Sequence, residues 1–187
     1  MKTALSLLAV ATLLVAPSLS ATQSSAPSDG PAILSGIQAS ADELSPEVQL
    51  YVGRGDELAS RLRYGAAARA YARAAGIARR EGHLASGTSW KLATVHYNNG
   101  NLVGAAAALD QLTDEAARVG DLEVEALSIY YAAWLNGKAG RGPEAAARVA
   151  RLEGLLRSQY VPVALRDRLS AWLRTSGEVA AIGTLSP

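Results

Sequence analysis

From Ser45 onward, apolar side chains recur at helical spacing, and glycine or proline interrupts them at regular intervals. This spacing predicts helices, because apolar positions three and four residues apart line one face of a helix. Ser45 and Pro46 suit the first helix start, since serine caps free backbone N–H groups and proline fits the first helical position. The predicted helices span residues 46–61, 65–81, 84–99, 102–118, 122–138, 143–158 and 162 to about 174.

The helical region repeats itself. Gly82 begins one block and Gly120 begins a similar one, a step of 38 residues, while Gly100 and Gly140 match within the blocks at a step of 40. A third, weaker copy precedes them. Each block is predicted to be two helices joined by a tight turn, and stacking is expected because a lone hairpin leaves an apolar face uncovered. The helix from Pro162 is interpreted as a cap on the last block.

Matching positions in the blocks are Ala93, Gly100, Ala105 and Leu109 in one copy, Ala133, Gly140, Ala145 and Val149 in another, and Gly55, Ala67 and Tyr71 in the first. This pattern resembles that of the tetratricopeptide repeat family, in a long variety of about 38–40 residues. Small residues at such places let helices approach closely. Arg61-Leu62-Arg63 departs from the pattern, since it stands where the other copies have their turn glycine, and the closing proline of the family appears only as Pro162.

The resemblance covers about residues 46–160 and implies an all-α fold. The expected architecture is a right-handed α-solenoid of about three helix-turn-helix repeats plus a C-terminal capping helix. A different array of helical hairpins stays an alternative.

Before the repeats, the sequence indicates a targeting segment. A short positive start is followed by a mostly apolar run over 4–16 and then by small residues. The run is too short to span about 30 Å of hydrocarbon, so we expect a signal peptide over 1–20, a periplasmic or secreted location, and a mature form that does not span the membrane. Retention as an anchor is the alternative. Residues 21–44 are predicted to be a flexible linker, 45–177 the repeat domain and 178–187 a flexible tail.

Composition narrows the chemistry. The absence of cysteine excludes disulfides, thiolate metal sites and a cysteine nucleophile, and a formal net charge of +1 argues against nucleic acid as a partner. His83 and His96 lack metal-ligand spacing, so neither a metal site nor a cofactor is expected. Motifs of serine hydrolases, P-loops and dinucleotide-binding folds are missing, and no catalytic residue or enzymatic activity is predicted.

Charge is unevenly distributed along the repeats. The first repeat is rich in arginine, the middle is acidic, and residues 141–174 are basic again. We interpret this as complementary pairing between neighbouring repeats, with a basic patch for an acidic partner as the alternative. The acidic cluster is interpreted as a solvated face, and a general acid/base pair within it is the less favoured hypothesis. Its members are Asp110, Asp114, Glu115, Asp121, Glu123 and Glu125.

The predicted function is an adaptor that binds a protein or peptide. The resemblance implies that the first helix of each repeat lines a concave groove, where aromatic rings supply contact area and amide or ammonium groups bind peptide backbone or carboxylate. The competing interpretation places the aromatic residues in the core. Self-assembly of an envelope protein into homo-oligomers and hydrolysis of envelope polymers are alternative functions. The predicted groove residues are Trp90, Thr94, Tyr97 and Asn98 in one repeat and Tyr130, Trp134 and Lys138 in the next.

Overall fold

The computed structural model of the protein describes residues 45–183, with side chains through Arg174. These residues form seven helices and no strand, so the all-helical prediction is confirmed for the described part of the chain. The predicted signal peptide, the linker and residues 184–187 lie outside it. The helices are α1 (Pro46–Ser60), α2 (Tyr64–Arg80), α3 (Ser86–Asn98), α4 (Leu102–Val119), α5 (Leu122–Lys138), α6 (Gly142–Leu156) and α7 (Val163–Gly183).

The first six helices begin and end within two residues of their predicted bounds. Local chemistry explains several of the starts. The Ser45 side chain accepts a hydrogen bond from Val48 N at 3.4 Å at the start of α1, and the Asp121 side chain caps α5 through Val124 N at 3.0 Å. Only α7 differs clearly, because it continues past Gly177 to Gly183. A glycine inside a helix costs about 1 kcal/mol against alanine, which weakens a helix without ending it.

The turns between the first six helices share one backbone geometry. Gly82, Gly100, Gly120 and Gly140 have φ of 84°, 74°, 76° and 72°, the left-handed region that glycine adopts without steric cost. The N–H of the next residue then bonds a carbonyl five residues back, as from Asp121 N to Ala116 O at 3.0 Å. Such turns recur after each helix from α2 to α5 and explain the glycine spacing of the sequence.

The turn between α1 and α2 has the same form without glycine. Leu62 takes φ 58° there, and Arg63 N bonds Leu58 O at 2.9 Å. From Leu62 to Gly140 the five left-handed residues are 20, 18, 20 and 20 positions apart. The departure noticed in the sequence is thus a change of residue within a conserved turn geometry.

Each helix packs mainly against the helices before and after it in the chain. The largest group of buried side chains runs through α3 to α7 and is centred on Leu109, Leu112, Ile129 and Leu135. Two smaller groups serve α1 and α2 and consist largely of alanine. Helices lined by alanine can lie close together, which offsets part of the apolar area that such small side chains fail to bury.

Close approach is clearest at Gly55. This glycine is buried in α1, and a Cβ there would overlap the ring of Tyr71 on α2. The Tyr71 hydroxyl donates a hydrogen bond of 2.6 Å to Asp56 Oδ1 of α1. The expectation that small residues admit bulky neighbours is therefore confirmed at this helix pair.

Candidate partner-binding surface

Among the residues predicted to line a groove, Trp90 lies in the core. It is only 3% exposed and packs edge-on against Tyr131, with ring centroids 5.3 Å apart and an interplanar angle of 86°. Position 90 is early in α3, where the helix faces both α4 and α5. Trp90 therefore offers almost no surface to a partner, and the core interpretation holds for this tryptophan.

Three predicted residues meet at the C-terminal ends of α3 and α5, and the fourth, Asn98, is the last residue of α3. The half-buried rings of Tyr97 and Trp134 lie 5.7 Å apart at 35°, and Lys138 Nζ lies 4.7 Å from the centre of the Trp134 ring. Asn98, next to Tyr97 in the chain, is exposed, as is Lys138. We name this group the α3–α5 patch: Tyr97, Asn98, Trp134 and Lys138.

Thr94 and Tyr130 lie one helical turn before members of the patch. The Thr94 hydroxyl donates to Trp90 O at 2.9 Å, so its single donor is used within its own helix. Tyr130 is half-buried and lies 5.0 Å from Trp172 of α7, with the two ring planes inclined by 36°. Tyr130 consequently joins α5 to α7, whereas Tyr97 and Trp134 join α3 to α5.

Trp172 continues a series of half-buried rings, Tyr97, Trp134 and Tyr130, which we name the aromatic row. The sequence does not predict Trp172 as part of this surface. It places this residue only within the predicted capping helix, yet the residue packs on Tyr130 and its ring centroid lies 6.4 Å from that of Tyr131. The guanidinium of Arg168, one turn earlier, lies 5.7 Å from the Trp172 ring centre. One feature of the sequence could have indicated this role: α7 follows α6, in the position that the first helix of another repeat would take. A cation thus accompanies a tryptophan at both ends of the row.

Burial shifts the pKa of two ionisable groups near these rings. It raises the pKa of Tyr131 to about 12, with a smaller contribution from the neighbouring Tyr130. Burial likewise lowers the pKa of His96, near the end of α3. The His96 Nδ1 faces Asn101 Nδ2 at 3.3 Å, while Asn101 Oδ1 accepts from Gly104 N at 2.9 Å. These groups are therefore neutral at pH 7 and serve packing and local hydrogen bonding.

The acidic cluster is divided among ion pairs between helices. Asp110 of α4 receives both Arg148 Nε, at 2.7 Å, and Arg148 Nη2. Arg151 lies 3.2 Å from Asp114 and 3.3 Å from Glu125. Bidentate and shared pairs of this kind fix α6 against α4 and α5.

The remaining acidic residues are engaged in the same way. Glu115, 8% exposed, pairs with Arg79 of α2, and Glu123 lies 3.9 Å from Arg168 of α7. Asp121 caps α5. The predicted pairing of charge is confirmed between α2 and α4 and between α4 and α6. The interpretation of the acidic cluster as a solvated face is wrong for Glu115 and Glu125, which are buried beside their arginine partners.

In the described part of the chain, no group of three or more histidine, aspartate and glutamate side chains is placed to hold a metal ion. His83 is exposed in the turn before α3, where its N–H bonds Ala78 O at 2.9 Å, the same bond that Asp121 makes one block later. None of the helices within residues 45–183 combines the length and apolar character needed to cross a bilayer.

Comparison with known proteins adds no relative to this picture. No protein-family model matches the chain, and neither a curated protein nor a solved structure matches it. The class that the fold defines is an all-helical protein of sequentially packed helices, and its function has to be argued from its own surface.

Proposed function

We propose that the protein is an exported adaptor, a short solenoid of tetratricopeptide-like hairpins that holds a peptide or partner protein against α3, α5 and α7. Export rests on the apolar segment at residues 4–16 and the small residues after it. The solenoid is supported by the recurrent left-handed turns and by packing between successive helices. The binding surface comprises the α3–α5 patch together with Tyr130, Arg168 and Trp172.

The observation that carries the proposal is the series of half-buried aromatic rings on alternate helices. Tyr97, Trp134, Tyr130 and Trp172 pack on the core with one side and keep part of their surface uncovered. The intervening helices α4 and α6 bury mainly alanine and leucine instead. Rigid aromatic side chains give a partner a large contact area at low entropic cost, which is why they dominate binding energy at interfaces.

Polar groups beside the rings orient the bound peptide. Asn98 is the last residue of α3 and Lys138 is the last residue of α5, and both are exposed. An asparagine amide satisfies a backbone N–H and C=O of an extended peptide, and an ammonium group attracts a carboxylate. A segment with an aromatic or aliphatic side chain next to a carboxylate would use both features.

Charge reversal at Lys138 tests this function with a matched control. Lys138 and Arg118 are both exposed cations in the last turn of a helix, α5 and α4 respectively. Lys138→Glu and Arg118→Glu therefore change the net charge equally and oppose the helix dipole equally. Immobilised wild type and both variants would be incubated with extract from the producing cells, and the recovered proteins quantified by mass spectrometry.

We expect at least one protein to be recovered equally by wild type and Arg118→Glu and about tenfold less by Lys138→Glu, as the loss of about 1.4 kcal/mol of binding implies. Circular dichroism would verify that both variants are folded. Equal recovery of every protein by the two variants would remove the α3–α5 patch from the proposal.

A further inference from the structure

A second surface, formed by α1, α2 and the turn between them, has the chemistry of a different site. Tyr51, Arg54 and Leu58 lie on one face of α1, at the spacing of successive helical turns. A cleft of about 360 Å³ is lined by these residues, by Arg63, which precedes α2, and by Ala66, Arg69 and Ala70 of α2. We name it the α1–α2 cleft.

The wall of the α1–α2 cleft carries three positive charges and no negative one. Arg54, Arg63 and Arg69 are all exposed, and none forms an ion pair with another described residue. A fourth guanidinium, that of Arg73, lies 5.8 Å from the centre of the Tyr51 ring. Three arginines further along the chain differ, since Arg79, Arg148 and Arg151 all have carboxylate partners.

The carboxylates nearest in sequence are already engaged elsewhere. Asp56 lies 2.6 Å from Lys91 Nζ and accepts the Tyr71 hydroxyl on the side facing α3. Glu57 pairs with Arg61 at 2.8 Å in an exposed i,i+4 contact. The arginines of the cleft are therefore not neutralised by their own helices, and like charges held together in this way favour an anionic ligand.

The rest of the cleft lining is largely apolar. Besides the arginines, it consists of Tyr51, Leu58, Ala66 and Ala70. Inorganic phosphate would leave these groups unused, and a flat bilayer surface fits a concave cleft poorly. A peptide that carries both carboxylates and an aliphatic side chain matches the charges and the apolar lining, because guanidinium groups bind carboxylates with two parallel hydrogen bonds.

We propose that the α1–α2 cleft binds an acidic peptide segment, in which aspartate or glutamate alternates with leucine-like residues. Arg54, Arg63 and Arg69 bind its carboxylates, and Tyr51 and Leu58 receive an aliphatic side chain. This site is separate from the surface of α3, α5 and α7 and does not depend on the function proposed for that surface.

Fluorescence anisotropy with two labelled peptides tests the site on the full chain. One peptide alternates Asp and Glu with Leu, and the other carries Asn and Gln in their place. The cleft variant is Arg63→Gln with Arg69→Gln. Its matched control is Arg118→Gln with Arg157→Gln, which removes the same charge from exposed positions that lie outside the cleft and form no ion pair with another described residue.

Wild type and the control should bind the acidic peptide alike, the cleft variant should bind it about tenfold more weakly, and the amide peptide should bind no better to wild type than to the cleft variant. Raising the salt from about 0.05 M to about 0.5 M should weaken acidic-peptide binding, because screening acts strongly on exposed charges.

Three results would overturn the proposal. The first is no binding of the acidic peptide to wild type at about 1 mM, a concentration that corresponds to only about 4 kcal/mol of binding free energy. The second is an equal loss of affinity in the cleft and control variants. The third is binding of vesicles rich in phosphatidylglycerol that depends on the cleft arginines when peptide binding does not, which would make the cleft a membrane contact.

Discussion

The first helix pair and the α3–α7 region use the same turns and the same direction of packing, yet they differ in what fills them. In α3–α7 the core combines leucine with tryptophan and tyrosine, and charged residues pair across helices. In α1 and α2 the core is mostly alanine, and the arginines of the cleft have no partner among the described residues. One repeated backbone therefore supports two surfaces of different chemistry, aromatic in α3–α7 and cationic in α1–α2.

The link between the two regions should give the largest effect. Arg79 of α2 pairs with buried Glu115 of α4 and donates to Ser89 of α3 at 3.1 Å. Arg79→Met leaves Glu115 buried without a countercharge, and we expect a loss of about 2 kcal/mol, below the value for a fully buried pair because Arg79 is 24% exposed. Urea unfolding measures it. Arg80→Met is the control on the exposed face of the same turn, and an equal loss there would contradict the role of the pair.

Two glycines of α1 should respond in opposite directions. A Cβ at Gly55 would overlap the Tyr71 ring, so Gly55→Ala is expected to cost about 1.5 kcal/mol despite its better helix propensity. Gly53 has nothing within 4 Å of the same atom, and Gly53→Ala should gain up to about 1 kcal/mol. Thermal and urea unfolding of both variants compare them directly. A gain of stability at both positions would show that α1 and α2 do not pack this closely.

A substitution at Leu62 should raise the stability of the protein slightly. Leu62 is 72% exposed and holds φ 58°, which costs a side-chain-bearing residue about 1–2 kcal/mol. Leu62→Gly removes that cost but increases the freedom of the unfolded chain, so a net gain of about 0.5 kcal/mol is expected. Gly120→Ala, at φ 76°, should lose about 1 kcal/mol by the same reasoning. Destabilisation by Leu62→Gly would mean that this turn differs from the others.

The smallest expected effect is a dependence of stability on pH at the end of α3. Burial lowers the pKa of His96 below its ordinary value of 6.5, so the unfolded chain takes up the proton first as the pH falls. The contribution of His96 to stability is thus complete above about pH 7 and decreases as the pH drops through 6.5. Between about pH 7.5 and 5, the free energy of unfolding measured with urea should fall less steeply with decreasing pH for His96→Gln than for wild type. If both proteins show the same pH dependence, it arises from groups other than His96.

The helix boundaries could largely be predicted from the sequence, because they are set by local interactions. These are the glycines with positive φ in the turns and the capping residues Ser45, Asn101 and Asp121. Even the turn at Leu62 was marked by its position in the repeat. The rotation of α3 and α5 about their axes could not be predicted. Helix α5 is buried on most sides, with Val124 to Ile129 covered in succession, so its periodicity singles out no exposed face.

Because the rotation of these helices could not be predicted, the sequence could not show which aromatic residues lie in the core and which lie at the surface. Trp90 and Trp134 occupy different depths although both lie on first helices, because Trp90 meets Tyr131 inside the core whereas Trp134 ends near Lys138 at the rim. The polar predictions Asn98 and Lys138 both proved to be exposed, as their side chains favour. Trp172 was missed as a member of the surface because its partners lie on α5, about 40 residues away in the chain.

Site-specific photo-crosslinking in the producing cells tests the proposed binding function most directly. A photoreactive amino acid would replace Asn98, which is exposed in the α3–α5 patch, or Gln111, which is exposed on α4. The proposal predicts a discrete adduct with a partner protein from position 98 and none from position 111, and predicts that Lys138→Glu abolishes the adduct. The same adduct from both positions, or an adduct from position 98 that survives Lys138→Glu, would contradict it.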